Sequence, residues 1–259
     1  MALTTRSKFY YGVKIPPTST YIAFQELTGP VRSASLKSSS YSLSGFATEI
    51  QRALRAAGTQ NYMVSINRST RLITISAPAN FSIFIATGPY AGAEIYTIMG
   101  FPLADLTGSN SYTGSSAIGK EYKPQFYLLD YMDTERSQNA VDASINETGS
   151  GQVEVIRYGT KKFMKCAIDF VNNEKNGDES WIEDNITGIE DCIDFLKDIT
   201  QKSKIEFMPD RDDPNTFQQF ILEATPASSS GLGYELIEKA GEGFLGYYTC
   251  GRLTFRLIE

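Results

Sequence analysis

The chain has 259 residues with 15 tyrosines, 15 phenylalanines, no histidine and a formal net charge of −6. The missing imidazole removes the side chain most used for proton transfer near neutral pH and the commonest transition-metal ligand, and the acidic balance argues against the basic stripe that phosphate neutralisation requires. Catalysis and direct nucleic-acid binding are therefore not expected, and aromatics set among short alternating segments and Gly/Ser/Thr-rich turns point to β-rich binding or structural material.

A chain of this length exceeds the usual size of a single core, so two domains are expected, 1–118 and 119–259. The fold class read from the pattern is α+β and β-rich: two domains of antiparallel sheet, each with an amphipathic helix packed on it, the second a sandwich or barrel. Cys166, Cys192 and Cys250 are odd in number and far apart, which fits neither a disulfide framework nor a zinc knuckle; reduced, mostly buried thiols are expected. The opening residues Met1 to Arg6 lack an apolar run of the signal-peptide kind, and nothing approaches the roughly 20 apolar residues that span a bilayer, so assembly in the cytosol is the expectation.

In chain order, Tyr21, Phe24 and Leu27 belong to an extended opening segment that Gly29-Pro30 breaks before a second run, 31–36. Ser44 is positioned to cap a helix whose apolar positions Phe46, Ala47, Ile50, Ala53, Leu54 and Ala57 recur at helical spacing, with Glu49, Gln51, Arg52 and Arg55 on the opposite face and Gly58 as the stop. Residues 62–66 and 71–76 alternate with period two around Asn67-Arg68-Ser69-Thr70 and predict a hairpin. A separate strand is predicted at 81–85 and a short helix at 91–99 closed by Gly100, after which Phe101 and Leu103 are expected to plug the end of a small core. Residues 109–119 are nearly devoid of core residues and read as a linker or a loop ordered by a partner.

Beyond Glu121, 153–159 and 163–170 read as strands paired across Gly159-Thr160-Lys161-Lys162, with Phe163, Cys166, Ile168 and Phe170 facing inward. After a polar connection at 172–180, a helix is predicted at 188–199 with the stripe Ile189, Cys192, Ile193, Leu196 and Ile199. Strands follow at 204–207 and 216–223, and Arg252 to Leu257 alternate strictly.

The succession "YSLSGFATEIQRALRAAG", "YMVSINRSTRLITISA", "FSIFIATGPYAGAEIYTIMGF" and "DLTGSNSY" resembles a recurrent module of structural proteins in tailed bacteriophages, over about the first 115 residues. The matching positions are Ile50, Leu54, Tyr62, Arg71, Ile75, Phe81, Gly100, Phe101 and Asp105. In the second half "IEFMPD", "GLGYELIE" and "YYTCGRLTFRL" look like elements of tail-tube, distal-tail and baseplate proteins. The resemblance implies a virion protein, assembled in the host cytoplasm, that forms a homomeric ring linking the tail tube to the baseplate or tail tip. Its implied partners are further copies of itself and other tail or baseplate proteins, with no nucleic acid, membrane or cofactor. The alternatives are a tail-tube subunit and a glycan-binding tail component.

No catalytic, cofactor-binding or metal-binding residue is assigned. Asp210, Asp212, Asp213 and Asn215 offer hard oxygen donors for calcium but lack EF-hand spacing, and Pro214 stiffens them; a solvated turn is the competing reading. Asp178, Glu179, Glu183 and Asp184 surround the only tryptophan, Trp181, which is either a sugar platform between carboxylates or an exposed loop. Ser44 and Ser116 lie in no nucleophile elbow, and the glycines at 231, 233, 241 and 243 read as turn glycines because no phosphate-loop lysine follows. The sequons at Asn67, Asn80, Asn146 and Asn185 carry no weight without an export signal. Segments able to reach neighbouring subunits are 1–20, stiffened by Pro16-Pro17, together with 108–119 and 139–151.

Overall fold

The computed structural model describes residues 8–123, 138–147, 153–168, 171–172, 189–209, 213, 217–224, 237–238 and 247–258. The protein is α+β and β-rich, with antiparallel sheets and few helices. The first part of the chain runs β1 (Lys8–Tyr11), β2 (Val13–Ile15), β3 (Tyr21–Glu26), β4 (Val31–Ser35), β5 (Ser39–Tyr41), α1 (Leu43–Ala57), β6 (Met63–Asn67), β7 (Leu72–Ile83), α2 (Glu94–Ile98), β8 (Leu106–Thr113) and β9 (Lys120–Tyr122). There follow β10 (Gln138–Glu147), β11 (Val153–Ile168), β12 (Val171–Asn172), α3 (Ile189–Thr200), β13 (Lys204–Met208), β14 (Gln218–Ala224), β15 (Ile237–Glu238), β16 (Tyr247–Thr249) and β17 (Gly251–Leu257).

A five-stranded sheet of β4, β3, β7, β6 and β8 carries α1, whose buried stripe includes Phe46, Ile50, Ala53 and Leu54. The helix starts at Leu43, and its N-cap is Ser42, whose Oγ accepts the Gly45 N–H at 3.1 Å; the predicted cap, Ser44, lies in the first turn. Gly58 does end it, donating its N–H to the Leu54 carbonyl at 2.8 Å. Glu49, expected on the wet face, is buried because the Lys37 N–H and the Arg52 guanidinium satisfy its carboxylate.

The hairpin forms as predicted, with Ile66 opposite Ile73 and Asn67 Oδ1 accepting the N–H groups of Ser69 and Thr70 in the turn. The separate strand expected at 81–85 does not exist as such: β7 continues from Leu72 to Ile83. Pro78, which has no N–H to donate, falls in the irregular stretch between Ser76 and Phe81, and here β7 exchanges β6 for β3 as its neighbour. The expected linker is also ordered: Leu106–Thr113 is β8 and pairs with β7, and Gly114, Ser115 and Ser116 bond to the carbonyls of Ile73 and Gly100. Phe101 is buried as expected, whereas Leu103 is 71% exposed. The helix predicted at 91–99 is confined to α2, with a turn before it.

The seven-stranded sheet has the order β10-β11-β17-β14-β13-β1-β9, every pairing antiparallel. The strands predicted at 153–159 and 163–170 are, as far as Ile168, one strand, β11, whose hairpin partner is β10, in the segment expected to be a loop; 169–170 lie outside the described residues. Alternation in β1 sets the layering. Phe9 and Tyr11 join a core with Cys192, Phe195, Leu196 and Ile199 of α3, while Tyr10 joins the core beneath α1. The residues expected to form a neighbour-reaching arm therefore include β1, paired on both sides by β13 and β9 in the seven-stranded sheet. Two cores lie on the two faces of this strand; the first takes residues from Tyr10 to Ile118 together with Met208 of β13, and Tyr122 belongs to the second. Of the predicted stripe on α3, Cys192, Leu196 and Ile199 are buried, and Phe195 joins them.

Candidate functional site

Because Tyr10 and Glu206 are register partners, both look from the seven-stranded sheet toward the first core. The Glu206 carboxylate, fully buried, accepts the Ser44 N–H at 2.6 Å and the Ser44 hydroxyl, so a full negative charge sits at the first turn of α1 where orphan N–H groups and the helix dipole favour it. Arg68, from the β6–β7 turn, brings its Nε to 3.4 Å from Glu206 Oε2 and lays its guanidinium 3.5 Å from the centre of the Phe217 ring. Tyr10 donates its hydroxyl to the Arg68 carbonyl at 2.5 Å, and Ser42 donates to Gln219 Oε1 at 2.7 Å. Burial first, then the Glu121 carboxylate, pushes the Tyr10 phenol well above its ordinary value, so it remains a donor.

A second polar clasp joins α3 to the β1–β2 bend. Asp198 accepts the Gly12 N–H at 3.3 Å and pairs with Lys14 at 2.8 Å; Asp194 accepts the Tyr11 hydroxyl at 3.0 Å and the Lys120 ammonium. Burial raises the Asp194 carboxyl, but Lys120 and Tyr11 outweigh it and hold the group below its ordinary value. These contacts fix rigid layers. They present no nucleophile with a base, since Ser44 is spent on a buried carboxylate and Ser116 lies in a turn at Gly100.

The outer strands of the two large sheets differ in how they treat their free edges. On β4, the Ser35 carbonyl is taken by Arg52 Nη2 at 2.9 Å; on β6, the Val64 N–H is taken by Gln51 Oε1 at 3.1 Å. On β8, the Ser109 and Ser111 N–H groups go to the Tyr112 hydroxyl and to Ser109 Oγ. The short β9 is laced with charge, Glu121 lying within 3.9 Å of Lys8, Arg71 and Lys123. Charges and side-chain plugs of this kind are how sheets avoid accidental strand addition. β10, the other end of the seven-stranded sheet, carries neither lysine nor proline.

Among the residues singled out from sequence, Asp213 is exposed, while Asp210, Asp212, Pro214 and Asn215 lie outside the described residues. So do Trp181 with its surrounding acids, Phe170, and the glycines at 231, 233, 241 and 243. Among the described residues no group of three or more Cys, Asp or Glu side chains is arranged to hold a metal ion. All three cysteines are buried and in no disulfide, and burial pushes the Cys166 and Cys192 thiols up to about 12. Sequence reading missed Glu206, Glu26 and Glu49 as buried carboxylates; only Glu49 had a local signal, its spacing of three from Arg52.

No protein-family model matches the chain, and no curated protein is similar to it. No helix among the described residues is long and apolar enough to cross a membrane.

Proposed function

We propose that this chain is a structural protein of a bacteriophage tail that assembles into a homomeric ring joining the tail tube to the baseplate or tail tip. Its work is mechanical and uses no cofactor, and its partners are further copies of itself and the neighbouring layers of the virion. The observation that carries the reading is the resemblance of the first 115 residues to the tail module, with its matching positions in scaffold roles. Ile50, Leu54, Tyr62, Ile75, Phe81 and Phe101 are buried in one core. Asp105 ties down the 86–87 bend by accepting the Ala86 N–H at 2.7 Å, and Arg71, at φ +57°, donates to the Gly119 carbonyl at 2.7 Å. Open sheets with addressable edges supply what a ring subunit needs, since heterologous contacts close into rings when the rotation between copies permits.

The reading is tested by the mass of the purified protein from light scattering, followed by negative-stain imaging. Closed rings of one copy number are expected. Long tubes would move the assignment to a tube subunit, and a monomer at every concentration would overturn it.

A further inference from the structure

β11 is sixteen residues long, but β17 covers only its second part, from Phe163 to Ile168. Residues 153–162 pair with β10 on one side and with no other described strand on the other. Among the described residues the β10–β11 hairpin therefore runs past the end of β17 as a two-stranded ribbon of about 34 Å, at roughly 3.4 Å per residue. A two-stranded ribbon alone is at best marginally stable in water, and three or more strands are needed for independent stability. Its two outer edges are of equal length, ten residues of β10 and ten of β11.

We infer that the ribbon is an intersubunit joint in which the outer edge of β10 in one copy pairs with the overhanging edge of β11, residues 153–162, in the next. This rests on the proposed ring. Three observations single out a second copy as the occupant. The two edges face opposite ways, so pairing one with the other is head-to-tail and propagates through any number of copies. Within one hairpin β10 is antiparallel to β11, so copies related by rotation about a common axis present β10 antiparallel to the next β11, the same ladder the fold already uses. The outer strands β4, β6, β8 and β9 are held by side-chain bonds or ion pairs, whereas β10 carries no lysine or proline; its edge has two acids, Asp142 and Glu147, and one irregularity between Asp142 and Ala143.

The test uses the full chain in two forms, one carrying Ser144→Cys on β10 and the other carrying, in turn, Val155→Cys, Arg157→Cys or Thr160→Cys on β11. Neither form contains both new thiols, and the native three are buried. Mild oxidation of mixed assemblies is expected to give a disulfide-linked dimer for at least one pairing, at least tenfold more abundant than with a control thiol at Ser111→Cys on β8. A parallel variant, Ser144→Lys with Asn146→Lys, guards the edge and is expected to raise the concentration needed for assembly at least tenfold with the monomer still folded by circular dichroism. Rings that form normally yet give no linkage above the control, or that tolerate the double lysine variant, overturn the joint and leave the ring reading standing. Absence of any assembly in the unmodified protein overturns both.

Discussion

Glu206 of β13 accepts the backbone N–H of Ser44 at 2.6 Å, so a strand of one sheet caps the helix that covers the other. The contact ties the two cores through a buried charge, with Arg68 as its counter-ion 3.4 Å away. Removing the charge leaves Arg68 uncompensated and weakens the helix start. Glu206→Gln is predicted to cost roughly 3 to 5 kcal/mol in unfolding free energy, the range set by breaking a buried ion pair from one side. Ser44→Ala should cost about 1 kcal/mol, one hydrogen bond. Urea unfolding of both variants measures this, and a Glu206→Gln value no larger than that of Ser44→Ala contradicts the capping role.

The Glu26 carboxylate is the hub under the end of α1. Burial raises its pKa, but hydrogen bonds from Thr59, Gln60 and Tyr62 outweigh burial and hold it below the ordinary 4.5. A carboxyl lowered in the folded state contributes stability that is complete above its unfolded value and is lost as pH falls through the lowered one. The stability gap between the parent chain and Glu26→Gln should therefore be constant near pH 7 and shrink as pH drops below 4.5. Thermal midpoints measured across that range check it; an unchanging gap would show that the charge is not what stabilises the hub.

Two glycines separate strain from space. Gly100 has φ +73°, and a Cβ there would lie 2.1 Å from the Ser116 carbonyl oxygen, while Gly92 has φ +69° with nothing within 4 Å. Gly92→Ala is predicted to cost about 1 kcal/mol, the left-handed backbone penalty alone. Gly100→Ala must also push the 114–116 turn away, so a loss of at least about 3 kcal/mol is expected, in the range of other severe single substitutions. Equal losses at the two positions would mean that the Gly100–Ser116 approach is looser than described.

β1 links chain start to chain end: Phe9 packs against Phe195, Phe207 and Phe255, with ring centres 4.9 to 6.0 Å apart. Phe9→Ala, a large-to-small change in a filled core, is predicted to cost roughly 3 to 5 kcal/mol. Deleting residues 1–11 removes the strand between β13 and β9 and should expose the second core, seen as increased binding of a hydrophobic dye. A truncated chain with an unchanged melting curve would contradict this placement.

Thiol chemistry gives an independent check on the second core. With Cys166, Cys192 and Cys250 buried, and the first two pushed up to about 12, none should react with a disulfide reagent at pH 8 until the protein unfolds. Rapid modification of the native protein would show that this region opens.

Much of the fold was legible where a segment's partner was water on one side and core on the other. The α1 and α3 stripes, the β6–β7 hairpin and the Gly58 stop all follow from period and punctuation. β8 and β10 were not legible. Leu106–Thr113 and Gln138–Glu147 are mostly Ser, Thr, Asn, Gln and small residues, because an outer strand can be held by main-chain bonds without presenting an alternating apolar face. The hairpin strand at 71–76 and the strand expected at 81–85 join as β7, because an irregularity in the pairing accommodates Pro78 between them. Glu206 could not be identified as a cap because Ser44 is 162 positions away, and Leu103 carried no mark to separate it from Phe101. These outer strands were thus invisible because the residues on them make few local commitments.

The most direct test of the ring is the mass of the purified chain by light scattering across a wide concentration range, with negative-stain images of the same samples. Closed rings of a single copy number, appearing above a threshold concentration, are the predicted result. A strictly monomeric protein at every concentration would contradict the account.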